Sequence, residues 1–148
     1  MRRRNGNKAN SDRNRIIADI KELLLIYEPA IERIPKVSRI TGAVREMQQA
    51  CYDMIDHFST AWSCKEVRDV NIQRMFGDFG RLCVCFEIVD RRGFLTVNTE
   101  YRIAQRMDKI EEGLRRWYNA LSHSVSGVEQ GPPRTSFVDE YAPSETNV

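Results

Sequence analysis

Apolar residues recur at spacings of three and four through most of this 148-residue chain. This spacing gathers them on one face of an α-helix. The stretches that share it run over residues 16–34, 40–62, 67–89 and 101–121. No stretch alternates apolar and polar residues over a useful length, as a half-buried strand would. The sequence therefore predicts an all-α protein.

Four amphipathic helices of about 20–25 residues, joined by short links, are typical of an antiparallel up-down-up-down four-helix bundle. We expect this bundle over residues 16–124, preceded by a flexible basic arm at 1–15 and followed by a disordered acidic tail at 125–148. Phe137 and Tyr141 leave open a short docking segment within the tail. The side chains expected in the core include Leu24, Met47, Phe58, Phe79, Leu82 and Leu114.

The segment YEPAIERIPK, residues 27–36, carries two prolines six residues apart. A proline inside a helix costs roughly 3 kcal/mol, because it removes a hydrogen bond and clashes with the preceding turn. Ile31 keeps the helical register beyond Pro29, so we expect Pro29 to kink the first helix rather than end it. Pro35 should end that helix or open the turn that follows.

Three other helix ends carry signals of their own. Ser63 with Glu66 three residues later predicts a capping box that starts the third helix. Gly93 is expected to end the same helix as a left-handed cap. Thr96 is expected to cap the start of the fourth helix.

Charge is distributed unevenly along the chain. The formal net charge is +2, but residues 1–15 carry +5, residues 125–148 carry −3 and the middle is neutral. A basic arm with almost no apolar residues can lie along a phosphate backbone without a preformed site. The basic residues of this arm are Arg2, Arg3, Arg4, Lys8, Arg13 and Arg15.

A second basic candidate lies on the fourth helix, where several cations share one face. Its members are Arg102, Arg106, Lys109 and Arg116, with Arg91 and Arg92 at the adjoining turn and Arg74 and Arg81 on the third helix. Such a patch can bind RNA phosphates through charge alone. Neighbouring acids favour the alternative of a solvated face, and the sequence does not decide between the arm and this face.

Signatures of catalysis are missing from the sequence. It contains no glycine-rich phosphate loop, no nucleophile motif and no histidine or cysteine pair at metal-ligand spacing. We therefore expect neither an enzyme nor a bound cofactor or metal. The four cysteines are expected to be reduced thiols, which favours a cytoplasmic protein. No apolar run is long enough for a membrane helix, so we expect no membrane span.

Leu25 and Ile26 fall outside the apolar stripe of the first helix. An apolar surface beyond the needs of the core usually marks a contact with another chain. We therefore expect these two residues at an oligomer interface.

Four segments together, in order and spacing, resemble a known family. They are IYEPAIERIPK at the end of the first helix, REM at 45–47, FGRLCVCFEI at 79–88 and GLRRWYNAL at 113–121. The chain resembles the accessory variability determinant (Avd) of diversity-generating retroelements, within a four-helix-bundle superfamily shared with ribosomal-RNA intervening-sequence proteins.

The resemblance implies a homopentameric, non-catalytic protein that binds a reverse transcriptase and its template RNA and supports mutagenic cDNA synthesis. Avd-type surfaces are typically basic, whereas the bundle here is neutral, which shifts the expected RNA contact to the arm and the local arginine patches. Two alternatives stay open: an intervening-sequence-type bundle, and a plain protein-protein adaptor.

Overall fold

The computed structural model describes residues 3–39, 42–121 and 136–143, with side chains from Arg15 to Ala120 and from Ser136 to Pro143 within those ranges. These residues contain no strand, so the predicted all-α class is confirmed. The helices are α1 (Arg3–Ile31), α2 (Lys36–Arg39), α3 (Gly42–Ser63), α4 (Arg68–Arg91), α5 (Val97–Leu121) and α6 (Phe137–Tyr141), with a 3₁₀ turn at Lys65–Val67.

The long helices pack in pairs, α3 against α4 and α1 against α5, and α1 also contacts α3 while α4 contacts α5. Asp53 and His57 of α3 meet Arg81 and Asp78 of α4, respectively. Because the order along one helix is reversed on the other, α3 and α4 run antiparallel.

The core lies between the apolar faces of the four long helices. All six side chains that the sequence places there are buried, with Met47, Leu82 and Leu114 fully inaccessible to solvent. Burial of apolar surface is the main favourable contribution to folding, so the helical periodicity identified the residues that hold the helices together.

The two prolines belong to the corner between α1 and α3. Pro29 lies inside α1, as predicted, and the helix ends two residues later at Ile31. Pro35 precedes α2, and its carbonyl accepts hydrogen bonds from the amides of Ser38 and Arg39 at 2.9 and 3.1 Å. Tyr27, fully buried, donates a hydrogen bond from its hydroxyl to the Val44 carbonyl at 2.8 Å, which joins the end of α1 to the start of α3.

Two of the three other predicted helix ends are confirmed. Gly93 follows α4 with φ +69°, in the left-handed region that favours glycine. The Thr96 hydroxyl accepts a hydrogen bond from the Thr99 amide at 3.2 Å. The capping box is wrong, because Ser63 is still the last residue of α3 and the 3₁₀ turn separates it from α4. The Glu66 carboxylate instead accepts a hydrogen bond from the Cys64 thiol at 3.3 Å.

Residues 3–15 are helical, in contrast to the expected flexible arm, and the docking segment that the sequence left open within the tail is present. Backbone from Arg3 to Arg15 continues α1 as helix, since extending an existing helix adds one hydrogen bond for each residue fixed and needs no new nucleus. Within the predicted tail, Phe137–Tyr141 forms α6 and packs on α5. Residues 1–2, 122–135 and 144–148 lie outside the described residues.

Candidate nucleic-acid interface

A cavity of about 460 Å³ opens along the seam between α1 and α5. Ile16 and Gly113 bring the two helices close at this point, since a Cβ added to Gly113 would lie 2.9 Å from Ile16 Cγ1. The residues that line this α1–α5 cavity are Arg15, Ile16 and Asp19 from α1, and Lys109, Glu112, Gly113 and Arg116 from α5. The fold thus places Arg15 of the predicted arm in the same cavity as Lys109 and Arg116 of the predicted basic face of α5.

Two cations of the cavity have no ion-pair partner among the side chains that the structure describes. Arg15 and Lys109 are both exposed, and neither pairs with an acid between Arg15 and Ala120 or between Ser136 and Pro143. Arg116 Nη2 lies 3.4 Å from Glu112 Oε1, one helical turn away, an exposed contact that is weak in water. The cavity therefore offers positive charge from two facing helices to an anion.

Arg106 has a different role at the same seam. Its Nη1 lies 3.4 Å from Asp19 Oδ1, and both side chains are partly buried. This ion pair and the contact between Ile16 and Gly113 follow opposite orders along the two helices, so α1 and α5 run antiparallel. Arg106 therefore stabilises the seam beside the cavity. Because Asp19 partly neutralises its charge, Arg106 attracts an anion less strongly than Arg15 and Lys109 do.

The basic residues at the start of α1 continue from the cavity along the same helix axis. Lys8 lies eight residues before Ile16, and Leu121 lies eight residues beyond Gly113. Since both helices rise about 1.5 Å per residue, the backbone of α1 before Lys8 extends past the end of α5. The backbone positions of Arg3, Arg4, Lys8 and Arg13 belong to α1, and Arg2 lies outside the described residues.

The remaining predicted cations lie apart from the cavity. Arg102 is exposed on α5, Arg74 is exposed on α4 and Arg92 is exposed directly after α4. Arg91 Nη2 pairs with Glu87 Oε1 at 3.0 Å on the same helix. None of these four residues lines the α1–α5 cavity.

Arg81 joins α3 to α4 instead of facing a ligand. Its guanidinium binds the Asp53 carboxylate and lies 3.9 Å from Asp78 Oδ1. The hydrogen bond from Arg81 holds the pKa of Asp53 below its usual range. On the other side of Asp78, His57 Nδ1 lies 2.5 Å from Asp78 Oδ2. This arrangement gives Arg81 a structural role between α3 and α4 and leaves its charge neutralised by acids.

No protein-family model, curated protein or solved structure matches this chain. Its function is therefore inferred from its own residues and their geometry.

The described residues show no grouping for a metal ion, and two of the four thiols are buried. No three histidine, cysteine or acidic side chains among them are grouped to hold a metal ion. Burial raises the pKa of Cys51 to about 12 and raises the pKa of Cys85, so both thiols are protonated near neutral pH and are poor nucleophiles. No helix in residues 3–39, 42–121 or 136–143 is long and apolar enough to cross a membrane.

The two residues predicted at an oligomer interface differ in exposure. Leu25 is 66% exposed on α1, whereas Ile26 is partly buried against the core. Sequence reasoning missed a second exposed apolar surface, on α4, where Val84 is 59% and Ile88 38% exposed. Their spacing of four residues places them on one face of α4 and could have revealed it.

Proposed function

We propose that this protein is a non-catalytic accessory protein of a diversity-generating retroelement, which binds the reverse transcriptase and its template RNA and supports mutagenic cDNA synthesis. The four ordered segments described above favour this family. The observation that carries RNA binding is the pair of exposed cations, Arg15 of α1 and Lys109 of α5, that line the same cavity.

We further propose that the four long helices form an antiparallel up-down-up-down bundle that assembles into a cytoplasmic homopentamer. The reversed order of contacts between α3 and α4, and between α1 and α5, supports the first part. The exposed Leu25 side chain supports an interface on α1. A ring would bring several α1–α5 cavities together and raise the avidity for one RNA strand.

Phosphate is the anion that best fits the cavity. Arginine offers a planar fork of donors that matches phosphate oxygens, and lysine adds a compact positive charge. The helical segment from Arg3 to Arg13 extends the run of positive residues beyond the cavity. Binding of this type tracks the RNA backbone and is nearly independent of its sequence.

The test measures RNA affinity against salt concentration for the full chain with Arg15→Gln, Lys109→Gln and Arg116→Gln combined. On single-stranded RNA each lost phosphate contact reduces the slope of log affinity against log salt by roughly 0.7, so a loss of two to three contacts reduces it by about 1.4 to 2.1. The matched control combines Arg33→Gln, Lys36→Gln and Arg45→Gln, which removes the same charge from exposed residues near the α1–α3 corner.

A second variant tests the start of α1. It combines Arg3→Gln, Arg4→Gln, Lys8→Gln and Arg13→Gln, because deletion of residues 2–15 would remove almost half of a helix that packs on α5. We expect weaker RNA binding that is equal across RNA sequences. If both variants bind RNA with the affinity and salt dependence of the control, the α1–α5 cavity and the start of α1 are not the RNA site and this interface is refuted. If the unmodified chain binds the reverse transcriptase but no RNA, the protein is an adaptor.

A further inference from the structure

The α1–α5 cavity contains a carboxylate as well as cations. Asp19 lines the cavity one helical turn after Arg15, which is about 6 Å along the axis of α1. The Asp19 side chain is partly buried, whereas Arg15 and Lys109 are exposed. The cavity therefore offers two kinds of group to one ligand, namely exposed cations for an anion and a partly buried acceptor for hydrogen-bond donors.

The Asp19 carboxylate keeps most of its capacity to accept hydrogen bonds. Arg106 Nη1 lies 3.4 Å from Asp19 Oδ1, which is longer than the roughly 2.7–3.2 Å of an ordinary N–H···O bond. Asp19 Oδ2 accepts no hydrogen bond from any residue that the structure describes. Because a carboxylate has about four acceptor sites, Asp19 can bind a ligand that carries two adjacent donors.

The size and the remaining lining of the cavity suit one nucleotide. Its volume of about 460 Å³ lies within the range of roughly 300–1,000 Å³ that is typical of small-molecule and cofactor sites. Gly113 contributes no side chain between Lys109 and Arg116 on α5. Glu112, the second acid of the lining, is exposed and its Oε1 lies 3.4 Å from Arg116 Nη2. A nucleotide that enters such a site must have an unpaired base, as in a single-stranded segment of RNA.

Guanine is the base that best matches a carboxylate acceptor. Its Watson–Crick edge carries two adjacent donors, N1–H and the N2 amino group, which can bind the two oxygens of one carboxylate. Adenine and cytosine place a ring-nitrogen acceptor beside their amino donor, and a carboxylate repels that acceptor. Uracil has a single N–H between two carbonyl acceptors. A nucleotide also carries its phosphate and its base on opposite sides of the ribose, so cations and a carboxylate can recognise different ends of it.

We propose that the α1–α5 cavity is the site of one unpaired guanine nucleotide, with its phosphate on Arg15 and Lys109 and its base on Asp19. This proposal rests on the RNA binding proposed for the same cavity and names the nucleotide that enters it. The contacts with the RNA backbone, including those of the start of α1, remain independent of sequence. Asp19 adds to them a preference for guanine at one position of the strand.

The experiment measures the affinity of the full chain for labelled RNAs of about ten nucleotides by fluorescence anisotropy. All are uridine except at one central position, which is guanosine, inosine or adenosine. Inosine is the matched control for the donors, because it differs from guanosine only in lacking the N2 amino group. We expect the guanosine RNA to bind at least about fivefold more tightly than the adenosine RNA, since a bidentate contact discriminates between bases by about this factor or more. The inosine RNA should lie between them.

Two variants test whether Asp19 itself reads the base. Asp19→Asn keeps the shape of the side chain but replaces one acceptor with a donor, so the advantage of the guanosine RNA over the adenosine RNA should disappear. Arg106→Gln is the matched control, because it removes the same ion pair and leaves the carboxylate in place. The advantage should remain in Arg106→Gln. Circular dichroism of both variants confirms that the helices are intact.

Free guanosine and adenosine monophosphates, compared by calorimetry, test the same site without an RNA strand, and the guanine nucleotide should again bind more tightly. The guanine site is overturned if neither the RNA nor the free nucleotide shows this advantage, if Asp19→Asn retains it, or if Arg106→Gln removes it as completely. The proposed RNA binding is tested separately. RNA binding that depends on the cations but not on the base retains the proposed function and refutes the guanine site, whereas a preference for the free guanine nucleotide without RNA binding does the reverse.

Discussion

Gly113 sets the distance between α1 and α5, because a side chain there would collide with Ile16. An alanine Cβ would lie 2.9 Å from Cγ1 of Ile16, a β-branched side chain that is 1% exposed. Alanine in a helix interior is otherwise favoured over glycine by about 1 kcal/mol. We expect the overlap to exceed this gain, so that Gly113→Ala lowers the free energy of unfolding in urea.

Gly77 and Gly80 of α4 provide the matched controls. Both are exposed helical positions with nothing within 4 Å of an added Cβ, so a side chain can be added at either one without a collision. Alanine at either position should raise the free energy of unfolding by roughly 0.5–1 kcal/mol. An equal gain from Gly113→Ala would contradict the contact with Ile16.

Residue positions in the core were the most predictable part of this structure. Met47, Leu82 and Leu114 follow from helical spacing alone, since burial of one face is what stabilises an amphipathic helix. Asp78 was missed, although it stands in register with Met75 and Phe79 on the apolar face of α4. A buried acid requires a partner, so its position in that register was the available signal for the contact with His57.

At the scale of elements, the corner where α4 meets α5 is sensitive to pH. Burial raises the pKa of Glu100 from 4.5 to about 7, and the carboxyl group also shares a hydrogen bond with Asp90. Glu87 and Arg91 of α4 and Glu140 and Tyr141 of α6 line one cavity with Glu100 and Asp90. Between pH 4.5 and about 7 the folded chain therefore binds one proton more at Glu100 than the unfolded chain does. The stability that this proton contributes is complete below pH 4.5 and is lost as the pH rises through about 7.

Urea unfolding at several pH values tests this corner against Glu100→Gln, which keeps a hydrogen-bond donor toward Asp90 and has no proton to lose. The difference in unfolding free energy between the two proteins should move in favour of the variant as the pH rises from 5 to about 7.5. Parallel pH profiles would show that Glu100 titrates normally in the folded chain.

The elements that sequence reasoning missed, or only left open as it did α6, depend on contacts between distant residues. α6 has only five residues and no measurable period, and its start is satisfied by Asp108, 29 residues away from Phe137. The capping box failed because Ser63 and Glu66 match a local motif while α3 continues through Ser63. The α1–α5 cavity could not be predicted either, since Arg15 and Lys109 line one cavity only once the two helices pack.

At the scale of the whole molecule, the exposed Leu25 predicts how copies associate. A homopentamer would have a mass of about 86 kDa, five times the 17.2 kDa of one chain. We expect Leu25→Glu to place a charge in the interface on α1 and reduce the mass to that of a single chain. Light scattering coupled to size exclusion measures this directly.

Val84→Glu on α4 is the matched control, since Val84 is 59% exposed and the substitution introduces the same charge. It should leave the mass unchanged. If only Val84→Glu dissociates the oligomer, the interface lies on α4 and not on α1. If the unmodified protein has the mass of a single chain at micromolar concentration, the proposed assembly is refuted.

The seam that holds the α1–α5 cavity joins the two most distant long helices of the chain. The Asp19–Arg106 ion pair spans 87 residues, whereas α3 and α4 are separated only by Cys64 and one 3₁₀ turn. Contacts between neighbouring segments close shorter loops at a smaller entropy cost. We therefore expect the α3–α4 hairpin to form early in folding and the α1–α5 seam to close late. RNA bound to both Arg15 and Lys109 would then hold together α1 and α5, the two helices that pack last during folding.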